Sequence, residues 1–178
     1  MAVAGVATQG AEAEMKRTVR IAGICVIVAG VLSGAGVAAA APGGTGHTVT
    51  TTEISHITQP LSGTNPCAPL NPVSGHTDDN IVTHVTFFPE SGEVRFTFTD
   101  QQSLIATDLT TGVVTTGHAT VTNNFNLTQR NATSTLNVTI RGTGSDGSTV
   151  YLHETAHFTL NANGVVTVDF DKVTLTCG

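Results

Sequence analysis

The run His153-Glu154-Thr155-Ala156-His157 spells HExxH. On an α-helix that pattern sets two imidazoles on one face for zinc, with the glutamate beside them as general base. The chemistry depends on helical spacing. Here the run lies between Val150-Tyr151-Leu152 and Phe158-Thr159-Leu160, an alternating and β-prone stretch that ends in a turn signal. In a strand, residues four apart stand about 13 Å from one another, too far to share an ion with bonds of about 2 Å. Glu154 would also point to the face opposite both histidines. The motif is therefore read as a false match, no catalytic residue is assigned, and no cofactor is implied. The metal chemistry left over is weak capture of zinc or copper by His153 or His157 together with His84 or His118 from another strand.

The same register exposes Glu154 itself. Val150, Leu152, Ala156, Phe158 and Leu160 share its face, so a carboxylate sits in the middle of an apolar row. A carboxylate directed into an interior must be paired, neutralised, or opened to a cavity holding water or ligand. Glu154 is thus the leading ligand-binding candidate, with Asn123, on the apolar face of its own strand, as its partner. A bulge near Thr155 or a hydrogen bond to backbone would make it structural instead. Asp78-Asp79-Asn80 and the pair Asp169 and Asp171 have calcium-binding side chains, but clusters this small read as solvated turns or strand ends. There is no GxSxG and no phosphate-cradling glycine loop, so the common acyl- and phosphoryl-transfer signatures are missing.

These side chains need a compartment and a scaffold. Lys16, Arg17 and Arg20 precede the apolar run Ile21 to Leu32, and Ala38-Ala39-Ala40-Ala41 offers small-residue cleavage sites, which reads as a secretory signal peptide over residues 1–41. Glu12 and Glu14 are unusual ahead of such a leader, so the reading keeps Met15 as an alternative start. Its apolar core is too short for a membrane anchor, and none is expected after cleavage. The domain over residues 42–178 then holds Cys67 and Cys177 alone, and an even pair in an oxidising compartment is expected to form a disulfide.

Cleavage also changes the charge. The full chain carries 7 basic and 13 acidic residues. The mature part keeps only Arg95, Arg130, Arg141 and Lys172 against eleven acids, a formal charge of −7. So little positive charge excludes a nucleic-acid binder of the basic-patch kind. Threonine is the commonest residue, tryptophan is absent and aromatics are 4%, a composition that favours strands.

Short β-rich runs separated by turn chemistry cover the mature chain. Strands are expected over residues 47–58, 81–88, 93–99, 103–108, 113–125, 135–141, 149–160 and 165–176. The proline-containing stretch 59–75 is expected to be a loop and 127–133 a polar connection. About eight strands joined mostly by hairpins predict an all-β fold, a small antiparallel up-and-down barrel whose closure removes the edges, with a β-sandwich as the alternative. Val94, Phe96 and Phe98, then Leu136, Val138 and Ile140, and Val166, Val168 and Phe170, supply the inward faces.

Arg141 to Ser148, His153 and His157, Asn161-Ala162-Asn163-Gly164, Phe170-Asp171-Lys172 and the closing Cys177-Gly178, with Pro66-Cys67 and Asp108 to Gly112, resemble a group of uncharacterised secreted actinobacterial proteins. That resemblance implies a secreted, disulfide-closed β-domain and no substrate. Three functional classes follow from the residues. A lipocalin-like binding module would hold a small ligand beside Glu154. A surface protein would contact envelope components through its threonine-rich face. A small-barrel cyclase or isomerase, similar in architecture to allene oxide cyclases, would use Glu154 with a raised pKa. Noncatalytic ligand binding is the reading preferred here.

Overall fold

Threonine, valine and isoleucine alternating with polar residues give no apolar stripe at helical spacing, so the chain can bury one face only as strand. In the computed structural model, which describes residues 47–178, every regular element is accordingly a strand. These are β1 (Val49–Asn65), β2 (Ala68–Phe88), β3 (Glu93–Asp108), β4 (Val114–Leu127), β5 (Asn131–Gly144), β6 (Thr149–Asn161) and β7 (Val166–Cys177). They pair in sequence order, each antiparallel to the next, in a single sheet. The signal peptide expected over residues 1–41, with its alternative start at Met15, lies outside the described residues.

The expected eight-stranded barrel needs correction. The runs 93–99 and 103–108 are one strand, β3, because Gln101 and Gln102 continue its pairing with Asn80 and Asp79. Seven is an odd number, and in an up-and-down sheet it leaves β1 and β7 running in the same direction. An antiparallel seam between them is then ruled out by topology, and β1 and β7 form no pairing among the described residues. The sheet is open.

The expected loop over 59–75 is also corrected, since β1 continues to Asn65 and β2 begins at Ala68. Prolines are tolerated there because an edge strand has N–H groups that no neighbour needs. Pro60 lies on edge strand β1, and Pro69 and Pro72 lie before Val73, where the pairing of β2 with β3 begins. The hairpin turns fall where glycine and asparagine predict them. Gly112 and Gly164 take φ of +75° and +73°, a conformation that glycine adopts without a Cβ clash. The side chain of Asn161 accepts the backbone N–H groups of Asn163 at 2.9 Å and Val165 at 3.0 Å.

Two features curl the sheet. In a flat sheet β2 and β7, five strands apart, would be separated by about 24 Å. Cys67, in the β1–β2 turn, and Cys177, at the end of β7, are nonetheless joined by a disulfide with a Cα–Cα distance of 5.9 Å. Glycines permit the bend. A Cβ on Gly75 would overlap the Ile105 carbonyl oxygen of β3, and one on Gly117 the Arg141 carbonyl oxygen of β5. Inside the curl lie the buried apolar side chains Phe98, Ala119 and Leu136, with the rings of Phe96 and Phe98 6.5 Å apart.

Candidate functional site

Directly opposed residues of an antiparallel pair project to the same face, so the six registers assign every strand side chain to one of two faces. One row across the sheet runs Ile57, Asp79, Gln102, Ala119, Ile140, Leu152; the next runs Ile81, Asp100, Val121, Val138, Glu154, Val173. These rows and the one that holds Phe98, Asn123 and Leu136 belong to the inner face. The opposite face carries His84, Thr97, Thr135, His157 and Phe170 in one row and Asn80, Gln101, Thr120, Thr139 and His153 in another, so Phe170, and Val168 opposite Thr159, point outward and not inward as expected.

Charge follows the same division. Every strand histidine, together with Arg95, Arg141 and Lys172, falls on the outer face, where Asp78 and Glu93 are the strand carboxylates. Glu53, Asp79, Asp100, Asp108, Glu154, Asp169 and Asp171 fall on the inner face. Among the described strand residues the inner face therefore holds no basic side chain. On the outer face Arg95 Nε lies 2.7 Å from Glu93 Oε1 and its guanidinium stacks over the Phe88 ring.

Asp79 on β2 and Asp100 on β3 are each 4% exposed, as is Asp108 at the end of β3. Asp79 and Asp100 are diagonal neighbours, since Asp79 opposes Gln102, two residues beyond Asp100. Gln59 Nε2 donates to Asp79 Oδ2 at 2.7 Å and Gln102 Nε2 donates to Asp100 Oδ2 at 2.6 Å. The Oδ1 atoms of both carboxylates are buried with no hydrogen-bond partner. Burial pushes the Asp100 carboxyl above its ordinary range, the Gln102 bond pulls it back, and the negative Asp79 raises it further. Buried polar atoms are satisfied in the great majority of cases, so two orphans on one pair call for an explanation. An open groove of about 580 Å³ crosses β1 to β4 at this level; eight of its twelve lining residues, His56, Asp78, Gln101 and His118 among them, project to the outer face, and Ile57, Asp79, Gln102 and Ala119 are the inner-face residues between them.

The residues expected from sequence are placed as follows. Asn123 is buried at 6% exposure and accepts from Ser134 Oγ at 3.1 Å. Glu154 is half-buried on the inner face. The two lie on β4 and β6 with β5 between them, and the hydrogen bond of the Asn123 side chain goes to β5. HExxH lies wholly on strand β6. His153 and His157 face outward, their Nδ1 atoms 3.1 Å and 2.7 Å from the hydroxyls of Thr139 and Thr135. His84 makes the same pairing with Thr52 at 2.8 Å, four strands from His157 along one row, while His118 lies opposite Arg141. No group of three or more His, Cys, Asp or Glu side chains suited to a metal ion occurs among the described residues.

Sequence reasoning passed over the Asp79 and Asp100 pair because Asp78-Asp79-Asn80 looks like a turn and Asp100-Gln101-Gln102 like a loop. The usable signal was alternation. Asp79 lies in phase with Ile81, Val85 and Phe87, and Asp100 in phase with Val94, Phe96 and Phe98. No family model, no curated protein and no solved structure matches this chain.

Proposed function

We propose that this is a secreted, noncatalytic binding module whose curled inner face holds a small ligand, in the manner of a lipocalin mouth. The observation that carries the reading is the pair of buried, unpartnered carboxylate oxygens of Asp79 and Asp100 on the inner face. Buried carboxylates are costly, and a face kept solely for packing would carry apolar residues there. The Cys67–Cys177 disulfide is consistent with an oxidising compartment, which accords with a leader over residues 1–41 and with the likeness to secreted actinobacterial proteins.

The finer architecture belongs to the same proposal. Cys177 lies on the row that meets β1 near Gln59, eight residues short of Cys67. A stagger of that order is what tilted strands accumulate around a barrel. The sheet is then a barrel-like coil whose seam is clasped by a disulfide in place of hydrogen bonds. Such a coil leaves the inner face reachable from the β1–β7 side.

Native mass spectrometry of the full chain expressed with its own leader tests the function. A retained small-molecule mass on the processed chain, lost in Asp79→Asn, supports it. Bare polypeptide mass under gentle desolvation, unchanged when culture extract is added back, overturns it. A role as an envelope-contacting surface protein is favoured instead by one feature, the outer Thr–His pairs of β1–β2 and β5–β6, and would be read as binding to envelope material that Asp79→Asn leaves intact.

A further inference from the structure

The outer face is not uniform. Over part of it the polar side chains bond one another across the strands, Thr52 with His84, Thr135 with His157 and Thr155 with Asn137. Further along the same face the groove of about 580 Å³ opens between the row of Asn80 and Gln101 and the row of Asp78 and Ser103. Here Thr58 and Asp78 bond each other at 2.6 Å, but His56, Asn80, Gln101, Ser103, His118 and Thr120 make no side-chain hydrogen bond among the described residues. Asn80 and Gln101 are both exposed and stand directly opposed, within reach of an amide–amide bond that they do not form. A second open groove, of about 630 Å³, adjoins the first at Ser103 and His118 and continues over β3 to β6. From β1 to β6 is five strand spacings, about 24 Å.

We propose that these adjoining grooves hold a neutral glycan, a chain of uncharged hexoses laid across the strands of the outer face. Amide, hydroxyl and imidazole side chains both donate and accept, as sugar hydroxyls do. The strand spacing of about 4.8 Å also sets successive side chains at nearly the repeat of one hexose. Charge complementarity agrees. In a chain of formal charge −6, the outward acid and base of the two grooves are Asp78, bonded to Thr58, and Arg141, whose guanidinium lies 5.4 Å from the Tyr151 ring centroid. The surface between them is close to neutral. A nucleic acid or an acidic polymer would need a cluster of cations. A protein partner would need apolar or aromatic anchors at its centre, and no outward side chain of the first groove is apolar. An apolar small molecule would need a concave apolar pocket.

The site lies on the face opposite the Asp79 and Asp100 side chains and does not depend on the inner-face ligand. The full chain is titrated with glucose, cellohexaose, maltohexaose and mannohexaose, and with hexagalacturonate as the acidic comparison. Heat and the side-chain NH2 resonances of Asn80 and Gln101 are followed. At least one neutral hexasaccharide is expected to bind saturably and to move both resonances, with glucose at least tenfold weaker because one ring covers one strand spacing. The double variant Asn80→Ala, Gln101→Ala is expected to weaken binding at least tenfold. Ser103→Arg, which projects a long side chain where the grooves meet, is expected to do the same. Asn124→Ala, exposed on the same face outside both grooves, is expected to bind like the unsubstituted chain. All four residues are exposed and make no side-chain hydrogen bond, so unchanged melting curves are expected. Failure of all three neutral hexasaccharides, binding that leaves both resonances in place, glucose as tight as the hexasaccharide, tighter binding of hexagalacturonate, or binding that survives both the double variant and Ser103→Arg overturns the proposal. Each of these outcomes leaves the inner-face reading standing.

Discussion

Asp79 and Asp100 stand diagonally across the β2–β3 pair, each with one carboxylate oxygen held by a glutamine amide and the other buried without a partner. This arrangement costs stability. Burial and the neighbouring Asp79 raise the Asp100 carboxyl, so the Asp100 contribution is fully favourable below the unfolded pKa and is lost as pH rises through the folded one. Asp100→Asn is therefore expected to melt a few degrees above the unsubstituted protein at pH 7, with the difference vanishing near pH 3. A thermal melt series from pH 3 to 8 measures it, and an equal or lower melting temperature at pH 7 would show that the charge is compensated.

Asp108 is an acid of the opposite kind. Its Oδ2 accepts from Asn65 and Asn71 at 2.9 Å each, and its Oδ1 from the backbone N–H groups of Thr110 and Thr111, also at 2.9 Å. One carboxylate thus ties the tip of the β1–β2 hairpin to the β3–β4 turn. The hydrogen bonds of Asn65 and Asn71 hold its carboxyl well below the usual range. The contribution to stability is present above the unfolded value of about 3.8 and lost as pH falls through the folded one. Asp108→Asn replaces one acceptor oxygen by an NH2 that faces two donors. It is expected to lower the melting temperature by several degrees at pH 7 and by less at pH 2. A loss of the same size at both would place the effect in packing.

How far this structure was legible follows from where alternation is unbroken. The turns at Gly112 and Gly164 and the strand around Leu136, Val138 and Ile140 are local signals, and each lies where the sequence places it. The Cys67–Cys177 bond was legible by elimination within one compartment. What misled was polarity in the interior of strands. Pro60 and Pro72 read as loop because their missing N–H matters only beside a neighbour, and pairing is a non-local fact. Gln101 and Gln102 read as a break, which supplied an extra strand and with it a barrel that an odd count cannot close in antiparallel fashion. Glu154 was seen because its neighbours are apolar, whereas Asp79 was hidden by Asp78 and Asn80, whose side chains point the other way.

The bend of the sheet depends on glycines in extended backbone, where the constraint is space. A Cβ on Gly117 would overlap the Arg141 carbonyl oxygen and crowd the Gly142 Cα. Backbone cannot swing aside as a side chain does. Gly117→Ala is expected to cost about 1–3 kcal/mol, the usual range for overpacking, whereas Gly63→Ala in β1, with nothing within 4 Å of its added Cβ, is expected to change stability little. Urea unfolding of the two variants side by side checks this, and equal stabilities would remove the steric account of the curl.

The disulfide carries the remaining edge. Every residue of β7 is exposed, and β6 is the one strand it pairs with among the described residues. Such a strand peels readily unless its end is fixed. Cys67–Cys177 closes a sequence separation of 110 residues, worth about 4–5 kcal/mol on the chain-entropy account, less any native strain. The double variant Cys67→Ser, Cys177→Ser is expected to be less stable by roughly 2–5 kcal/mol. The location of the loss is the sharper test. If the bond serves only to restrict the unfolded chain, amide exchange by global opening rises uniformly across the sheet. If it also clasps the seam, the amides of β7 and of the β1–β2 hairpin tip exchange fastest, through local opening that leaves β3 to β5 protected. We expect the second pattern, because β7 has one hydrogen-bonded neighbour and β4 has two. Uniform loss of protection would mean that the curl is held by Gly75, Gly117 and the packed inner face without help from the clasp.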